Sequence, residues 1–544
     1  MSKSDRKQSL VMQAGIFAAA GIVVRIIGLL YNTPLVHIIG DEGFGYYDSA
    51  YAAYSIILMI SSFSIPSAVS KIMAQKLANE EYNNAYRLFK CTLIYVTIVG
   101  LIAGFFVFFG AGILVKMESA ILPLKVLAPT VFLCGLLGAF RGFFQARHSM
   151  VQTSLSQILE QIFNAGFSVL MAYVLVNSAK GLDSSTVASY GAAGSTIGTG
   201  VGVLTALIFM LIIYFYNRKS FMAKVYADRH QEDSYAKIFK MILMVVTPFI
   251  LSTCVYNINT FMDKTIYQWV LMDGKGVVEK NVALDLSAYA KANKIANIPI
   301  ALSAAMAATL IPRLSTYITK RQYDVARGQV EKAIRVTMFV SIPAAVLVGV
   351  LARPIMRVIF PQKESLALAA NMLIVLALTV VLYALSTITQ AVLQAIGKLN
   401  LPIINGLVSL ILHAVLMILL MYILPVDWAL YCYGFATVIY ALILCVMNGI
   451  AVKKYLKYQQ EVDKTFLRPI ISSILMGAIA FGIYELLYYL TDLNFISLVV
   501  SLFVALITYL VLVIRWQAIS EEELLSIPKG TKVVALAKKF KVMK

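Results

Sequence analysis

Fourteen long apolar runs, separated by short polar connections, constrain this chain more than any other feature of its sequence. A helix needs about 20 apolar residues to cross the hydrocarbon core of a bilayer, whereas strands of membrane barrels alternate apolar and polar positions over about ten residues. The runs are continuous and longer than such strands, so they predict an all-α integral membrane protein with 14 transmembrane helices. They lie at 11–38, 46–74, 91–115, 121–145, 150–177, 187–216, 238–271, 285–312, 333–352, 365–396, 401–424, 429–452, 467–490 and 494–515.

The composition excludes a soluble protein and gives no sign of an enzyme. Hydrophobic residues form 60% of the 544-residue chain and charged residues 13%, whereas soluble domains carry about 25% charged residues. The longest connection, 217–237, is far shorter than the roughly 50 residues of a small folded domain. The sequence contains no H-E-x-x-H, G-x-S-x-G or phosphate-loop pattern, and its five cysteines include no C-x-x-C pair. We therefore predict no catalytic activity, no cofactor and no metal site.

The net charge of +19 reflects membrane topology rather than nucleic-acid binding. Of the 46 Lys and Arg residues, 34 lie in or beside the even-numbered connections and the two termini, and 8 lie at the odd-numbered connections. Cytoplasmic loops of membrane proteins are enriched in Lys and Arg. We therefore predict a multi-pass protein of the cell membrane with both termini in the cytoplasm.

Two short internal matches predict that the chain is built from two similar halves. Segment 65–78 aligns with 298–311, and 143–155 aligns with 392–404, at offsets close to six spans. Two six-helix lobes of parallel topology, followed by two further helices, account for this pattern, and such repeats place substrate sites between the halves. The predicted segments are an N-terminal lobe 1–216, a cytoplasmic linker 217–237, a C-terminal lobe 238–452, helices 13 and 14 at 467–516, and a cytoplasmic basic tail 517–544.

Three basic residues lie deep in the predicted spans. Arg25 is about 21 Å along the first helix, where a charge costs about 2.5–3.5 kcal/mol. It either reaches the far headgroups, forms a structural ion pair, or lines a hydrated cavity. Lys291 and Lys294 share one face of span 8. Arginine binds phosphate through bidentate hydrogen bonds and lysine binds it as a point charge, so this set favours a phosphate or diphosphate ligand.

Polar stripes on spans 5 and 7 either join helices or line the same cavity. Two acids among them, Glu160 and Asp263, either hold the basic residues in place when the cavity is empty or bind a coupling cation. The stripes also contain Thr153, Gln157, Gln161, Asn164, Asn257, Thr260 and Lys264. Asp263 and Lys264 lie toward the outer end of span 7, so the alternative for these two is that they are ordinary interfacial residues.

Alternating access requires helix positions that bend. Helices bend where hydrogen bonding is weak or neighbours pack closely, most often at proline and glycine. The predicted hinge positions are Gly28, Pro66, Pro299 and Pro312.

Four segments resemble one superfamily of transporters. They are VVRIIGLLYN (23–32), FRGFFQA (140–146), SQILEQ (156–161) and KIANIPIALSAAMAATLIPRLS (294–315). The chain resembles the multidrug/oligosaccharidyl-lipid/polysaccharide (MOP) exporter superfamily over essentially its full length. Within that superfamily it is similar to the Gram-positive polysaccharide-transport branch, which includes stage V sporulation protein B and MurJ-type lipid II flippases.

The resemblance implies a V-shaped pair of lobes, with helices 13 and 14 forming a groove for an undecaprenyl tail. Residue by residue, Arg25 and Lys294 match basic positions of the MurJ-type proteins, and Asp48 is a looser match to an acid at the start of span 2. The second span departs from many Gram-negative members, because Ser61 or Ser62 stands near the place of their arginine.

We therefore expect a flippase that moves an undecaprenyl-diphosphate-linked sugar precursor, foremost lipid II, across the cytoplasmic membrane by alternating access. Membrane potential or a cation gradient supplies the energy. The alternatives are a flippase for another polyprenyl-linked glycan (teichoic acid, capsule or spore cortex) and a cation or drug exporter of the same fold. The predicted partners are the glycolipid substrate, membrane lipids and cell-wall synthesis proteins, with no nucleic acid.

Overall fold

The computed structural model describes residues 20–518 except 22, 64 and 148, together with residues 531 and 535. For a further set of residues it describes the backbone alone: 63, 248, 249, 251–253, 255–257, 302, 305, 308, 309, 312 and 363. The start of predicted span 1 and most of the predicted basic tail lie outside the described residues. Within these ranges the chain is helical, with one isolated β-bridge between Lys180 and Leu182.

The helices follow one another with short connections. The first ten are α1 (23–30), α2 (Asn32–Leu58), α3 (Ile65–Ala78), α4 (Tyr82–Phe109), α5 (Ala111–Leu114), α6 (Ile121–Ala146), α7 (Met150–Ser178), α8 (Ser184–Ala227), α9 (Tyr235–Gln268) and α10 (Glu279–Thr319). The others are α11 (Tyr323–Val350), α12 (Ala352–Ile359), α13 (Lys363–Ala395), α14 (Asn400–Ile423), α15 (Ala429–Leu456), α16 (Arg468–Thr491) and α17 (Asn494–Arg515). Single π-helical turns lie at Met59–Phe63, Trp269–Gly274 and Asp463–Leu467.

The all-α membrane fold predicted from the sequence is confirmed. Eleven helices in the described part of the chain are long and apolar enough to cross a membrane, and they correspond to predicted spans 2–6 and 9–14. Helices α9 and α10 coincide with predicted spans 7 and 8. The total of 14 spans stays a prediction.

Two local signals explain where helices begin and end. Gly40 adopts φ +71° and interrupts the helical geometry of α2, which separates the end of predicted span 1 from span 2. Glycine reaches this conformation without a steric penalty. Asp183 and Ser234 cap α8 and α9 by accepting hydrogen bonds from the backbone N–H groups of Thr186 and Lys237.

The chain forms two compact units, one up to Ser287 and the other from Ala288 onward, and α10 runs through the boundary. Helix α9 thus groups with the helices that precede it. Helix α8 also continues to Ala227, so the first half of the predicted linker 217–237 is helical and only 228–234 is non-helical. The division into two six-helix lobes at this linker stays a prediction.

Small residues allow very close helix packing in the first unit. Gly194, Gly198 and Gly202 recur every four residues or so along one side of α8, which faces α7. A Cβ atom would lie 2.5 Å from the Met171 carbonyl oxygen at Gly194, and would overlap the Ser168 backbone at Gly198. Without a hydrophobic driving force inside the bilayer, such backbone contact is a main source of helix association.

In the second unit, α16 and α17 pack against each other and against α11. Ser501 donates a hydrogen bond to the Ala480 carbonyl across the α16–α17 pair. Tyr509 of α17 donates to the Phe339 carbonyl of α11 at 2.7 Å. These bonds tie the last two helices to the rest of the second unit.

Candidate functional site

Arg25 lies in α1 with an exposed side chain. Within the described part of the chain it forms no ion pair. One turn further along α1, Gly28 approaches α7, since a Cβ atom there would lie 3.3 Å from Gln161 Nε2. Arg25 is therefore an exposed basic side chain that is not neutralised by a described carboxylate, and its role in substrate binding stays a prediction.

Glu160, predicted to neutralise the deep basic residues, is bound by a different arginine. Arg141 Nη2 of α6 lies 2.6 Å from Glu160 Oε2, with side-chain exposures of 14% and 29%. Arg141 Nε also donates to Ser156 Oγ at 2.9 Å. Arg141 is part of the motif FRGFFQA (140–146). A carboxylate inside the membrane needs a cation partner, and this rule could have identified Arg141 as the partner of Glu160.

The other polar residues of the α7 stripe differ in their contacts and in their exposure. Asn164 Oδ1 accepts hydrogen bonds from Ser168 Oγ at 2.9 Å and from Thr199 Oγ1 at 3.5 Å, the latter joining α7 to α8. Thr153 is fully buried. Gln157 is partly exposed, as is Asn164, and a role for Gln157 in substrate binding stays a prediction.

Asp48 and Lys264 form a buried pair across α2 and α9. Lys264 Nζ donates to Asp48 Oδ2 and, at 3.3 Å, to the Asp48 carbonyl. Their side chains are 14% and 7% exposed. One turn further along α9, Gln268 Nε2 donates to the hydroxyl of Ser49, the residue after Asp48, at 3.1 Å. Lys264 is thus a structural partner of Asp48 rather than an interfacial residue.

Asp263 and Asn257 flank this pair on α9. Asp263 is buried and takes part in a polar interaction. The side chain of Asn257 lies outside the described residues. A role for either residue in substrate binding stays a prediction.

Carboxylates also fix the start of α10 within the first unit. Glu279 accepts hydrogen bonds from the backbone N–H groups of Glu118 and Ser119, both at 3.0 Å. Glu42 accepts from Ser185 Oγ at 2.6 Å and forms an ion pair with Lys280 at 3.5 Å. The first turns of α10 are therefore held by charge-assisted hydrogen bonds.

The two lysines predicted on one face of α10 differ in exposure. Lys291 is 1% exposed, donates to Ser365 Oγ at 2.9 Å and lies 5.6 Å from the centre of the Phe360 ring. Lys294 is partly exposed and also takes part in a polar interaction. Lys291 is therefore buried in this structure, and its predicted role as an anion ligand stays a prediction.

The predicted hinge positions have different surroundings. Pro66 follows the π-helical turn Met59–Phe63 and packs 3.4 Å from the Cβ position of Gly138. A π-helical turn weakens regular helix bonding and often marks functional sites. Pro299 lies inside the continuous helix α10, as does Pro312, whose side chain lies outside the described residues.

Ser61 and Ser62 lie in that same π-helical turn, where many relatives were expected to carry an arginine. Both are buried, their hydroxyls are 3.1 Å apart, and Ser62 Oγ donates to the Val131 carbonyl at 3.5 Å. This position therefore carries two uncharged hydroxyl groups instead of an arginine. In the described residues no three His, Cys, Asp or Glu side chains cluster closely enough to hold a metal ion.

Curated proteins and solved structures resemble this chain over most of its length. The lipid II flippase MurJ of Bacillus subtilis (strain 168) is 23% identical over 472 residues, covering 83% of this chain and 84% of that protein. Stage V sporulation protein B of the same organism is 23% identical over 409 residues, covering 74% and 76%.

Two solved structures share the fold. A structure described as lipid II flippase MurJ, inward closed conformation, matches with a TM-score of 0.66 at 16% identity, over 91% of this chain and 97% of that chain. An inward-facing multidrug resistance MATE family transporter of the MOP superfamily matches with a TM-score of 0.58 at 13% identity, over 80% and 99%. The predicted MOP fold is thereby confirmed.

The family itself is shown by a sequence model. The model described as lipid II flippase MurJ matches residues 86–503, which is more than half of the chain. The chain therefore belongs to the lipid II flippase MurJ family.

Proposed function

We propose that this protein moves an undecaprenyl-diphosphate-linked sugar precursor, foremost lipid II, across the cytoplasmic membrane by alternating access. Family membership supports the substrate class. The observation that carries the proposal is Arg25, an exposed basic side chain on a membrane helix with no carboxylate partner among the described residues. A guanidinium in such a place binds a diphosphate through two parallel hydrogen bonds.

The acids in the first unit indicate the charge of the substrate. Glu160 and Asp48 are bound by Arg141 and Lys264 respectively, so neither is free to neutralise Arg25. A drug or cation exporter of this fold requires carboxylates available to a cationic ligand. The pairing of these two acids therefore favours an anionic substrate.

We also propose the membrane orientation and the division into lobes that the sequence predicts. The termini face the cytoplasm, the lobes divide at 217–237, and α16 and α17 are two further helices that follow the two six-helix lobes. Membrane potential or a cation gradient drives transport, since one charge moving through 100 mV gains about 2.3 kcal/mol. Cell-wall synthesis enzymes supply and consume the glycolipid.

The similarity to stage V sporulation protein B supports a second candidate substrate. Stage V sporulation protein B is as similar in identity as the MurJ relative. A different polyprenyl-linked glycan, carried by the same diphosphate chemistry, is therefore the alternative cargo.

The test places the gene in a bacterial host depleted of its own lipid II flippase and measures lipid II exposed at the outer surface. The wild-type chain should restore exposure, Arg25→Ala should abolish it, and Arg25→Lys should restore part of it because the charge remains. Lys219→Ala, an exposed cation at the end of α8, is the matched control and should behave as wild type. Normal levels of wild-type protein in the membrane without restored lipid II exposure would overturn the lipid II assignment and favour the second cargo.

A further inference from the structure

Helix α12 is a short helix at one face of the membrane. It connects two membrane-spanning helices, α11 and α13, so its ends are fixed at the surface of the bilayer. Ala352, Pro354 and Met356 are buried, whereas Arg353 is exposed and Arg357 partly exposed. The two arginines are four residues apart and therefore share one face of the helix. This is the pattern of an interfacial helix with a basic face.

Contacts in the second unit hold α12 beside the connection between α16 and α17. Asn494 Nδ2 donates to the Pro354 carbonyl at 3.3 Å, and Tyr484 donates to Asn494 Oδ1 at 2.7 Å. The guanidinium carbon of Arg357 lies 5.1 Å from the centre of the Tyr488 ring. We call these four side chains with Arg353 the α12 cluster.

The aromatic part of the α12 cluster is ordered by stacking. The rings of Tyr484 and Tyr488 are 5.7 Å apart and nearly parallel, at 6°. Tyrosines at membrane interfaces lie at the level of the lipid headgroups. The cluster therefore combines two guanidinium groups with an aromatic platform at headgroup depth.

The arginines of the α12 cluster form no ion pair in the part of the chain that the structure describes. Neither Arg353 nor Arg357 forms an ion pair with a described residue. Glu485, between the two tyrosines in sequence, is exposed and forms no ion pair in the described part of the chain either. Two arginines at headgroup depth that no described carboxylate pairs with attract anions from the membrane surface.

The distribution of charge along the chain singles out the same position. In the second unit, three connections lie at this face: the segment around α12, residues 424–428 and residues 492–493. Lys and Arg occur only in the first of them. Membrane topology disfavours basic residues on the non-cytoplasmic face, so their concentration at α12 indicates a specific partner.

We propose that the α12 cluster binds the phosphate of an anionic phospholipid in the leaflet at this face, which the charge distribution predicts to be the outer one. Arg353 and Arg357 donate hydrogen bonds to the phosphate oxygens, and Tyr488 keeps Arg357 in position through its ring. The acyl chains lie along the exposed apolar side of α16. This site requires only that the protein spans a bilayer, so it is independent of the transported cargo.

The test measures lipid binding to the purified full-length protein in detergent by native mass spectrometry. Phosphatidylglycerol and phosphatidylcholine are the probes. Arg353→Gln/Arg357→Gln should lose about tenfold in affinity for phosphatidylglycerol, because two charge-assisted hydrogen bonds are removed, and should bind phosphatidylcholine as wild type does. Arg353→Lys/Arg357→Lys should lose less, because the charges remain while the bidentate geometry is lost.

The matched control is Lys320→Gln/Arg321→Gln, which removes two exposed charges from the turn before α11 and should bind phosphatidylglycerol as wild type does. If the α12 double variant is not recovered folded, Arg353→Gln alone should still weaken binding about threefold, since this exposed side chain makes no described contact that packing needs. Unchanged phosphatidylglycerol binding in a folded variant overturns the proposal. Binding of undecaprenyl phosphate with no binding of phosphatidylglycerol also overturns it, because the occupant would then be the polyprenyl carrier.

Discussion

Arg141 and Glu160 join α6 to α7 by a charge-assisted hydrogen bond of 2.6 Å between Nη2 and Oε2. Both belong to motifs that resemble the MOP superfamily, yet the contact between them is visible only in the folded chain. The pair shows that a carboxylate inside the membrane domain is part of the packing of this protein rather than a free ligand group.

Removing both members of this pair should cost less than the two single losses added together. Arg141→Gln leaves a half-buried carboxylate without its cation, and we expect a loss of about 1–3 kcal/mol in the free energy of unfolding. Arg141→Gln/Glu160→Gln should lose less than the sum of the two single variants, because no unpaired charge remains. Chemical unfolding in detergent measures the four states of the cycle. Strictly additive losses would show that the two side chains do not interact.

Two basic residues of the first unit should respond differently to the same substitution. Lys264→Gln leaves the buried carboxylate of Asp48 unpaired, so we expect a loss of about 3 kcal/mol in stability. Arg25→Gln removes an exposed side chain with no described ion pair, and stability should change by less than about 0.5 kcal/mol. Thermal unfolding compares the two variants. A large loss of stability in Arg25→Gln would mean that this arginine is structural and would remove the main support for the proposed diphosphate site.

Gly198 of α8 lies where the backbone of α7 comes so close that there is no room for a side chain. Gly198→Ala places a Cβ atom onto the Ser168 backbone, which cannot move as a flexible side chain does. We expect a loss of more than about 2 kcal/mol or no folded protein. Gly166→Ala on α7 is the control, because no atom lies within 4 Å of its Cβ position and alanine favours a helix. Equal yields of the two folded variants would contradict the observed packing of α7 on α8.

The non-helical segment 228–234 is bound to the turn between α3 and α4, and its attachment should depend on pH. Lys76 lies 2.6 Å from Asp233 and 2.7 Å from Glu81. Hydrogen bonds from Lys237 and Lys76 lower the pKa of Asp233, and a hydrogen bond from Lys76 lowers the pKa of Glu81. Both groups therefore stabilise the folded state above their unfolded pKa values of about 3.9 and 4.3.

That stabilisation is lost as the pH falls through the lowered pKa values. Hydrogen exchange of the backbone amides in 228–234 should stay slow near neutral pH and accelerate, after correction for the intrinsic rate, below about pH 4. Asp233→Asn should exchange faster at neutral pH and show a weaker pH dependence. Glu80→Gln, next to Glu81 in sequence and exposed, is the control. A corrected rate that is constant from pH 7 to 3 in wild type would refute the electrostatic attachment.

The sequence by itself determined the membrane class, most of the helices and the family. Apolar runs about as long as a bilayer is thick leave the backbone no option other than helix, because every peptide group must be hydrogen-bonded within its own segment. The break at Gly40 and the caps at Asp183 and Ser234 are equally local, because each depends on one residue and its neighbours in sequence.

Only the tertiary structure decided which buried charges are paired. Glu160 was predicted either to hold the deep basic residues in place or to bind a coupling cation, and the structure pairs it with Arg141, a partner that was not predicted from the sequence. Lys264 was expected near the interface, but it is bound to Asp48, 216 residues away. Lys291 shares its predicted helix face with Lys294, yet it is buried against Ser365. Helical periodicity fixes which way a side chain points, whereas the partner it meets depends on how distant helices pack, and no periodicity in one segment encodes that.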